Sequence, residues 1–204
     1  MNKFLSILLV VFLLSSCKYE DKYAFNKNWS GLYTATLDMT EMEPDKDSEL
    51  IPYAEARDLE AKMNAVNGIS GARVIEDREK SIIAFSYSFE DLKAINKLNQ
   101  SDFSYGSDSP LKGLGQWKMT NKGKKKFFMS MTNLDSKRSE IDPEEVKRMG
   151  ETFKIKTVLS FHRKVKTITG EMAKQGDKPN EVVIEYTPAD MWNPDIKWNI
   201  AVKL

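Results

Sequence analysis

The last ten of 204 residues, DIKWNIAVKL, alternate without a break: Ile196, Trp198, Ile200, Val202 and Leu204 stand against Asp195, Lys197, Asn199, Ala201 and Lys203. A period of two sends successive side chains to opposite faces of a strand, so this segment buries one face and wets the other. The pattern recurs. In GLYTATLDM, Tyr33, Ala35, Leu37 and Met39 share a face, and Ile83, Phe85, Tyr87 and Phe89 share one further on. Phe153, Ile155, Thr157, Leu159 and Phe161 repeat it, and EVVIEYT follows a Gly-Asp-Lys-Pro-Asn turn. Strands with a single dry face favour antiparallel pairing, because parallel sheets are covered on both sides.

Helical spacing appears between the strands. Ala56, Leu59, Met63 and Val66 follow Pro52 and stop at Gly68, and Leu92, Ile95 and Leu98 form a second short set. IDPEEVKRMG carries a cap at Asp142, Pro143 in the first turn and Gly150 at the end. ARVIEDREKSIIAFSYSF and GQWKMTNKGKKKFFMSMT read as hairpins, the second turning at Asn121-Lys122-Gly123. EMEPDKDSELIP and residues 100–114 read as loops. These elements predict an α+β fold, a largely antiparallel sheet of about eight strands with about three helices, in one domain over residues 29–204.

Before the domain, Asn2-Lys3 and the apolar run Phe4–Leu14 have the form of a signal peptide over residues 1–16. The run is shorter than the roughly 20 apolar residues that span a bilayer. Leu14-Ser15-Ser16-Cys17 resembles the bacterial lipobox, in which the cysteine is acylated and becomes the first mature residue. Cys17 is the sole cysteine, so no intramolecular disulfide competes for it. Two or more acyl chains anchor a protein stably where one does not. The membrane is therefore the first expected partner, reached through palmitate-like chains on Cys17. Residues 17–28 read as a polar lipidated tether. Lys18, Glu20 and Asp21 resemble the export signal of surface lipoproteins, which leaves the periplasmic and surface sides of the outer membrane both open.

From residue 17 onward, 30 basic and 30 acidic side chains balance to zero. This argues against nucleic acid, whose binding requires the neutralisation of several phosphates. The charge is uneven: residues 17–100 hold 11 basic against 16 acidic groups, and residues 101–204 hold 19 against 14. The two readings are pairing between the halves and a basic face turned toward anionic headgroups.

No catalytic constellation is present in the sequence. His162 stands alone, without the partners a zinc site or a nucleophile–base pair needs, and no phosphate-cradling glycine loop follows a strand. Asp45, Asp47 and Glu49 alternate as in calcium loops, but Leu50 and Ala56 occupy the places of the required Gly and Glu. The chain reads as a non-enzyme with no cofactor and no metal.

The tentative binding residues lie in the second hairpin. Trp117, Met119, Phe127, Met129 and Met131 form a soft apolar wall, and Lys124, Lys125 and Lys126 stand at its tip. The wall is either plain core or the lining of a lipid pocket with the lysines near its mouth. Phe128 points to the opposite face from Phe127, so one face of the hairpin needs a further partner.

The order of elements resembles a family. NWSGLYTATLDM, GARVIEDREKSIIAFSYSFEDLKAIN, the aromatic hairpin, TVLSFHRKVKTITG and EVVIEYTP together look like the LppM-type lipoprotein domain, over roughly residues 29–190. The resemblance implies a curved sheet with helices and an association with lipid at the cell envelope. His162-Arg163 stands where the family usually has Pro-Gly, and the C-terminal transmembrane helix of many members has no counterpart before Leu204. The resulting expectation is a membrane-anchored envelope lipoprotein that binds a lipid or other amphiphile. The alternative is an interaction protein docking another envelope component through an exposed sheet face.

Overall fold

The structure is a computed structural model that describes residues 17–40, 49–100, 116–132 and 153–204, with the backbone alone for Cys17, Gln116 and Thr132. The signal segment, the acidic run at 41–48, the loop at 101–114 and the helix expected at 142–150 lie outside the described residues.

Seven strands build the larger sheet: β1 (Cys17–Phe25), β2 (Gly31–Asp38), β3 (Ile69–Asp77), β4 (Ile82–Phe89), β7 (Phe153–Ser160), β9 (Ala173–Gln175) and β10 (Glu181–Tyr186). Four more, β5 (Gln116–Lys122), β6 (Lys126–Thr132), β8 (Thr167–Thr169) and β11 (Asn199–Lys203), build the second. Among the described residues three helices complete the α+β fold: α1 (Tyr53–Asn64), α2 (Leu92–Asn99) and α3 (Pro188–Trp192). The orders are β3-β4-β2-β1-β7-β10-β9 and β5-β6-β11-β8. Pairing is antiparallel except between β1 and β7.

The tether expected over residues 17–28 is overturned. Residues 17–25 form β1, flanked by β2 on one side and β7 on the other. Asp21, Tyr23 and Phe25 are buried along one face with Tyr19 half-buried beside them. The charged residues that read as solvated face outward, where Glu20 pairs with Lys156 and Lys22 with Glu181 across the neighbouring strands. The chain reverses between β1 and β2 through Gly31, where a Cβ would lie 2.0 Å from the carbonyl oxygen of Ala24.

The last strand is also shorter than its alternation suggests. β11 covers Asn199–Lys203, while Trp198 and Ile196 pack inward ahead of it, the Trp198 carbonyl still accepting from Met131 N–H of β6 at 3.0 Å. β8, β9 and α3 are additions that the sequence reading passed over.

The two sheets meet over an aromatic cluster. Phe127 of β6 lies 5.2 Å from Phe25, 5.4 Å from Phe161 and 5.8 Å from Trp29, centroid to centroid. At the other end Trp198 sits 5.9 Å from Trp117 and 5.1 Å from Tyr186. Such pairs contribute about 0.5–1.5 kcal/mol each beyond the area they bury.

Helices cover both long sheet edges. Glu60 of α1 accepts from the backbone N–H of Val74, and Asn64 accepts from that of Ala72, on edge strand β3. On edge strand β5, Asn96 of α2 accepts from Met119 N–H and donates to its carbonyl, and Asn99 donates to the carbonyl of Trp117. Edge groups that would otherwise template another chain are thereby occupied.

Candidate functional site

The hairpin that holds the expected binding residues divides sharply by face. Its strands pair Trp117 with Met131 and Met119 with Met129, and β11 sets Ile200 beside Met129 and Val202 beside Phe127. Trp117, Met119, Phe127, Met129 and Met131 are all buried, Met119 and Phe127 completely. They are packed into the main core together with Phe25, Trp29 and Phe161. The apolar wall of the hairpin therefore meets the larger sheet.

The opposite face of the same four strands is exposed and basic. Alternation turns Lys118, Lys122, Lys126 and Lys203 outward, with Lys124 and Lys125 in the turn at Gly123. Gly123 holds a φ of 62°, a left-handed conformation that glycine adopts without a Cβ clash. Register sets Lys122 directly opposite Lys126, and Lys126 directly opposite Lys203. Three like charges thus lie in one row across three adjacent strands. The next outward row places Thr120, Phe128 and Ala201 side by side, with Phe128 39% exposed. No Asp or Glu occurs in β5, β6, β8, β11 or the lysine turn.

Some lysines elsewhere on the surface are paired, although among the described residues Lys27, Lys93, Lys97 and Lys154 are not. On the outer face of the larger sheet Lys22 meets Glu181, Lys156 meets Glu20 and Lys174 meets Glu185. Among the described residues none of Lys118, Lys122, Lys124, Lys125, Lys126 and Lys203 has an ion-pair partner. Like charges directly opposite on a sheet destabilise it by a few tenths to about 1 kcal/mol per pair. Among the described residues no acidic neighbour offsets this cost.

A second unusual place lies on the inner face of the larger sheet. Asp21 is 5% exposed and Thr157, its partner across β1 and β7, is fully buried. Among the described residues neither Asp21 Oδ1 nor Thr157 Oγ1 meets a partner in good hydrogen-bond geometry, although the Thr157 hydroxyl lies close enough to the carboxyl to act on it. Burial pushes the Asp21 carboxyl up to about 7, and Glu20 adds to the rise while Thr157 and the backbone oppose it. The phenols of Tyr23 and Tyr33 are pushed far up by burial and by the Asp21 charge, and the Tyr19 and Tyr33 hydroxyls share a hydrogen bond of 2.7 Å. Asp21 was invisible as a special residue in the sequence because it sat among surface-like charges. Its place in the row Tyr19, Asp21, Tyr23, Phe25 was the available signal.

The remaining features are inert by comparison. His162 accepts a hydrogen bond from Arg163 Nε at 2.9 Å, and burial lowers its pKa. A cleft of about 170 Å³ between Tyr53 and Ala56 of α1 and Val74 and Glu76 of β3 has its charges matched, Arg78 bridging Glu49 and Glu76. Among the described residues no helix is long and apolar enough to cross a membrane, and no three His, Cys, Asp or Glu side chains converge as metal ligands. Cys17 starts β1 opposite Phe153 of β7.

The architecture is that of an α+β domain made of two packed, mostly antiparallel sheets with helix-covered edges. Among solved structures it is similar to the folded domain of Mycobacterium tuberculosis LppM, determined by NMR, at 10% identity and a TM-score of 0.46, over 93% of this chain and 89% of that one. The likeness is to the type that the sequence pattern resembles, and it transfers no ligand and no residue role. No protein-family model and no curated protein sequence matches the chain.

Proposed function

We propose that this protein is a non-enzymatic lipoprotein of the bacterial envelope, anchored through acyl chains on Cys17, that binds anionic lipid through the outer face of its four-stranded sheet. The observation that supports this is the row of Lys122, Lys126 and Lys203, opposed in register with no acid among the described residues to offset them. Near an anionic leaflet each lysine gains about 1 kcal/mol. Repulsion within the row then turns into attraction for a third body. Phe128 lies beside the row and offers an apolar contact at headgroup depth. The lipid-pocket form of the sequence reading gives way here to a surface form, because Phe127, Met129 and Met131 are packed against other core side chains. The second reading, an interaction protein docking another envelope component, would use the same exposed sheet face, since side chains of α1 and α2 occupy the two long sheet edges.

The test is sedimentation of residues 17–204 carrying Cys17→Ser, without the apolar run Phe4–Leu14, with vesicles of phosphatidylcholine, alone or mixed with phosphatidylglycerol. Binding is expected on the anionic vesicles only, falling as salt rises because the contact is electrostatic. Lys122→Glu, Lys126→Glu and Lys203→Glu combined should abolish it while leaving the fold intact. Equal binding to neutral vesicles, or full binding by the triple variant, would refute the proposal.

A further inference from the structure

The inner face of the larger sheet is arranged in rows by its register. Tyr33, Tyr23 and Leu159 form one row, and Leu37, Tyr19 and Ile155 form the row two residues away toward Cys17. Between them lies the row Ala35, Asp21, Thr157. Its side chains are small, so it is recessed between bulky neighbours. At its centre are Asp21 Oδ1 and Thr157 Oγ1, two neighbouring polar atoms that no group among the described residues meets in good hydrogen-bond geometry, on residues more than nine-tenths buried. An unmade hydrogen bond at a buried group costs about 1–3 kcal/mol. Among the described residues no lysine or arginine pairs with Asp21. A buried carboxylate without a cation is incomplete chemistry.

We propose that this recess is a binding site for a primary ammonium group. Its three protons match the acceptors at hand: the orphan oxygen of Asp21, the orphan oxygen of Thr157, and a phenol oxygen of the hydrogen-bonded Tyr19–Tyr33 pair. A neutral hydroxyl would satisfy one acceptor and leave the carboxylate charge unmatched. Approach is from the Cys17 end of the sheet, where Leu37, Tyr19 and Ile155 are only half-buried. The ammonium belongs either to a small free amine or to an aminophospholipid headgroup. This site is independent of the lysine face and of the anionic-lipid reading that rests on it.

The groups that set the charge of the site are Asp21 itself, Glu20 on the same strand, and the phenols of Tyr19, Tyr23, Tyr33 and Tyr87. Only the ionised carboxylate receives the cation. With a carboxyl midpoint of about 7, affinity should be about tenfold lower at pH 6 than at pH 8. The experiment is a thermal-shift and calorimetric titration of the full-length protein with ethanolamine and, separately, with lysophosphatidylethanolamine, each at both pH values. 1-Propanol serves as the uncharged control, with the hydroxyl alone.

Binding of ethanolamine with that pH dependence supports a small-amine site, and binding of the lysolipid alone supports a headgroup site. In both cases Asp21→Asn should abolish the effect, and Thr157→Val should weaken it with the circular dichroism unchanged. The proposal fails if neither amine binds the folded wild type, which would leave the two oxygens merely hydrated. It also fails if Asp21→Asn binds like wild type, or if 1-propanol binds as well as ethanolamine. Vesicle sedimentation of Asp21→Asn should be unaltered, which separates this outcome from any failure of the lysine face.

Discussion

The indole Nε1–H of Trp29 donates to the carbonyl oxygen of Gly123 at 3.0 Å. One bond thereby joins the turn between β1 and β2 to the lysine turn of the other sheet, 94 residues further along the chain. Trp29 holds a φ of 69°, a left-handed conformation uncommon for so large a residue, while its ring is buried against Phe25 and Phe127. Trp29→Phe keeps most of the ring contact and deletes the donor. The expected loss is about 1 kcal/mol, since water can replace the indole at the exposed carbonyl. Urea unfolding would measure it. Vesicle affinity should fall as well, although no charge has changed, because the lysine turn loses its hold on the core.

Asp21 makes stability depend on pH in the sense opposite to most carboxylates. In the folded protein it keeps its proton to about pH 7, whereas the unfolded chain releases it near 3.8. Between these values the unfolded state holds fewer protons, so the stability that Asp21 allows declines as pH rises. The contribution is absent below the lower value and complete above the upper one, on the order of 4 kcal/mol destabilising. Asn cannot ionise. Asp21→Asn should therefore gain on wild type as pH rises from 4 to 8, by an amount approaching that figure. Chemical denaturation of both proteins across the range would show it, and parallel curves would exclude a raised carboxyl.

Met129 is 1% exposed, paired with Met119 on one side and Ile200 on the other. A lysine there would leave its charge in apolar surroundings with no partner, a cost of several kcal/mol or more. Against a domain stability of roughly 5–15 kcal/mol, Met129→Lys should unfold the protein or drop its melting midpoint severely. Met129→Leu, similar in volume, should cost less than about 1.5 kcal/mol. A folded Met129→Lys variant with an ordinary melting curve would reveal an opening beside the hairpin.

Acylation is tested directly at Cys17. Wild type should incorporate a clickable fatty acid in cells, and Cys17→Ser should not, accumulating unprocessed or free of the membrane. Equal labelling of the two would remove the anchor from the account.

Much of this fold was legible because its strands keep a clean period of two. β2, β4 and β7 and the two longer helices fall where apolar spacing put them, and both hairpins were visible. β1 was missed for a physical reason. Lys18, Glu20 and Lys22 look solvated in a linear reading, yet two of them meet partners about 136 and 159 residues away. Asp21 also breaks the apolar row of its own strand. The candidate site was half legible: Lys124–Lys126 stood out, but the opposition of Lys122, Lys126 and Lys203 depends on β11 lying beside β6. Only the register across strands distant in sequence reveals it.

The position of β1 between β2 and β7 bears on when the chain can fold. β1 is among the first segments synthesised, and its parallel neighbour follows more than 130 residues later. Such distant pairing delays the gain that compensates loop closure, so folding of this topology is intrinsically slow. The earlier strands β2–β4 can form a partial sheet, but its β1 edge stays uncovered until residues 153–160 emerge. A chain built this way stays threadable through most of its synthesis. That suits a polypeptide whose first residues read as a ticket for crossing a membrane, and it makes the interval before β7 arrives the period when a holdase chaperone matters most.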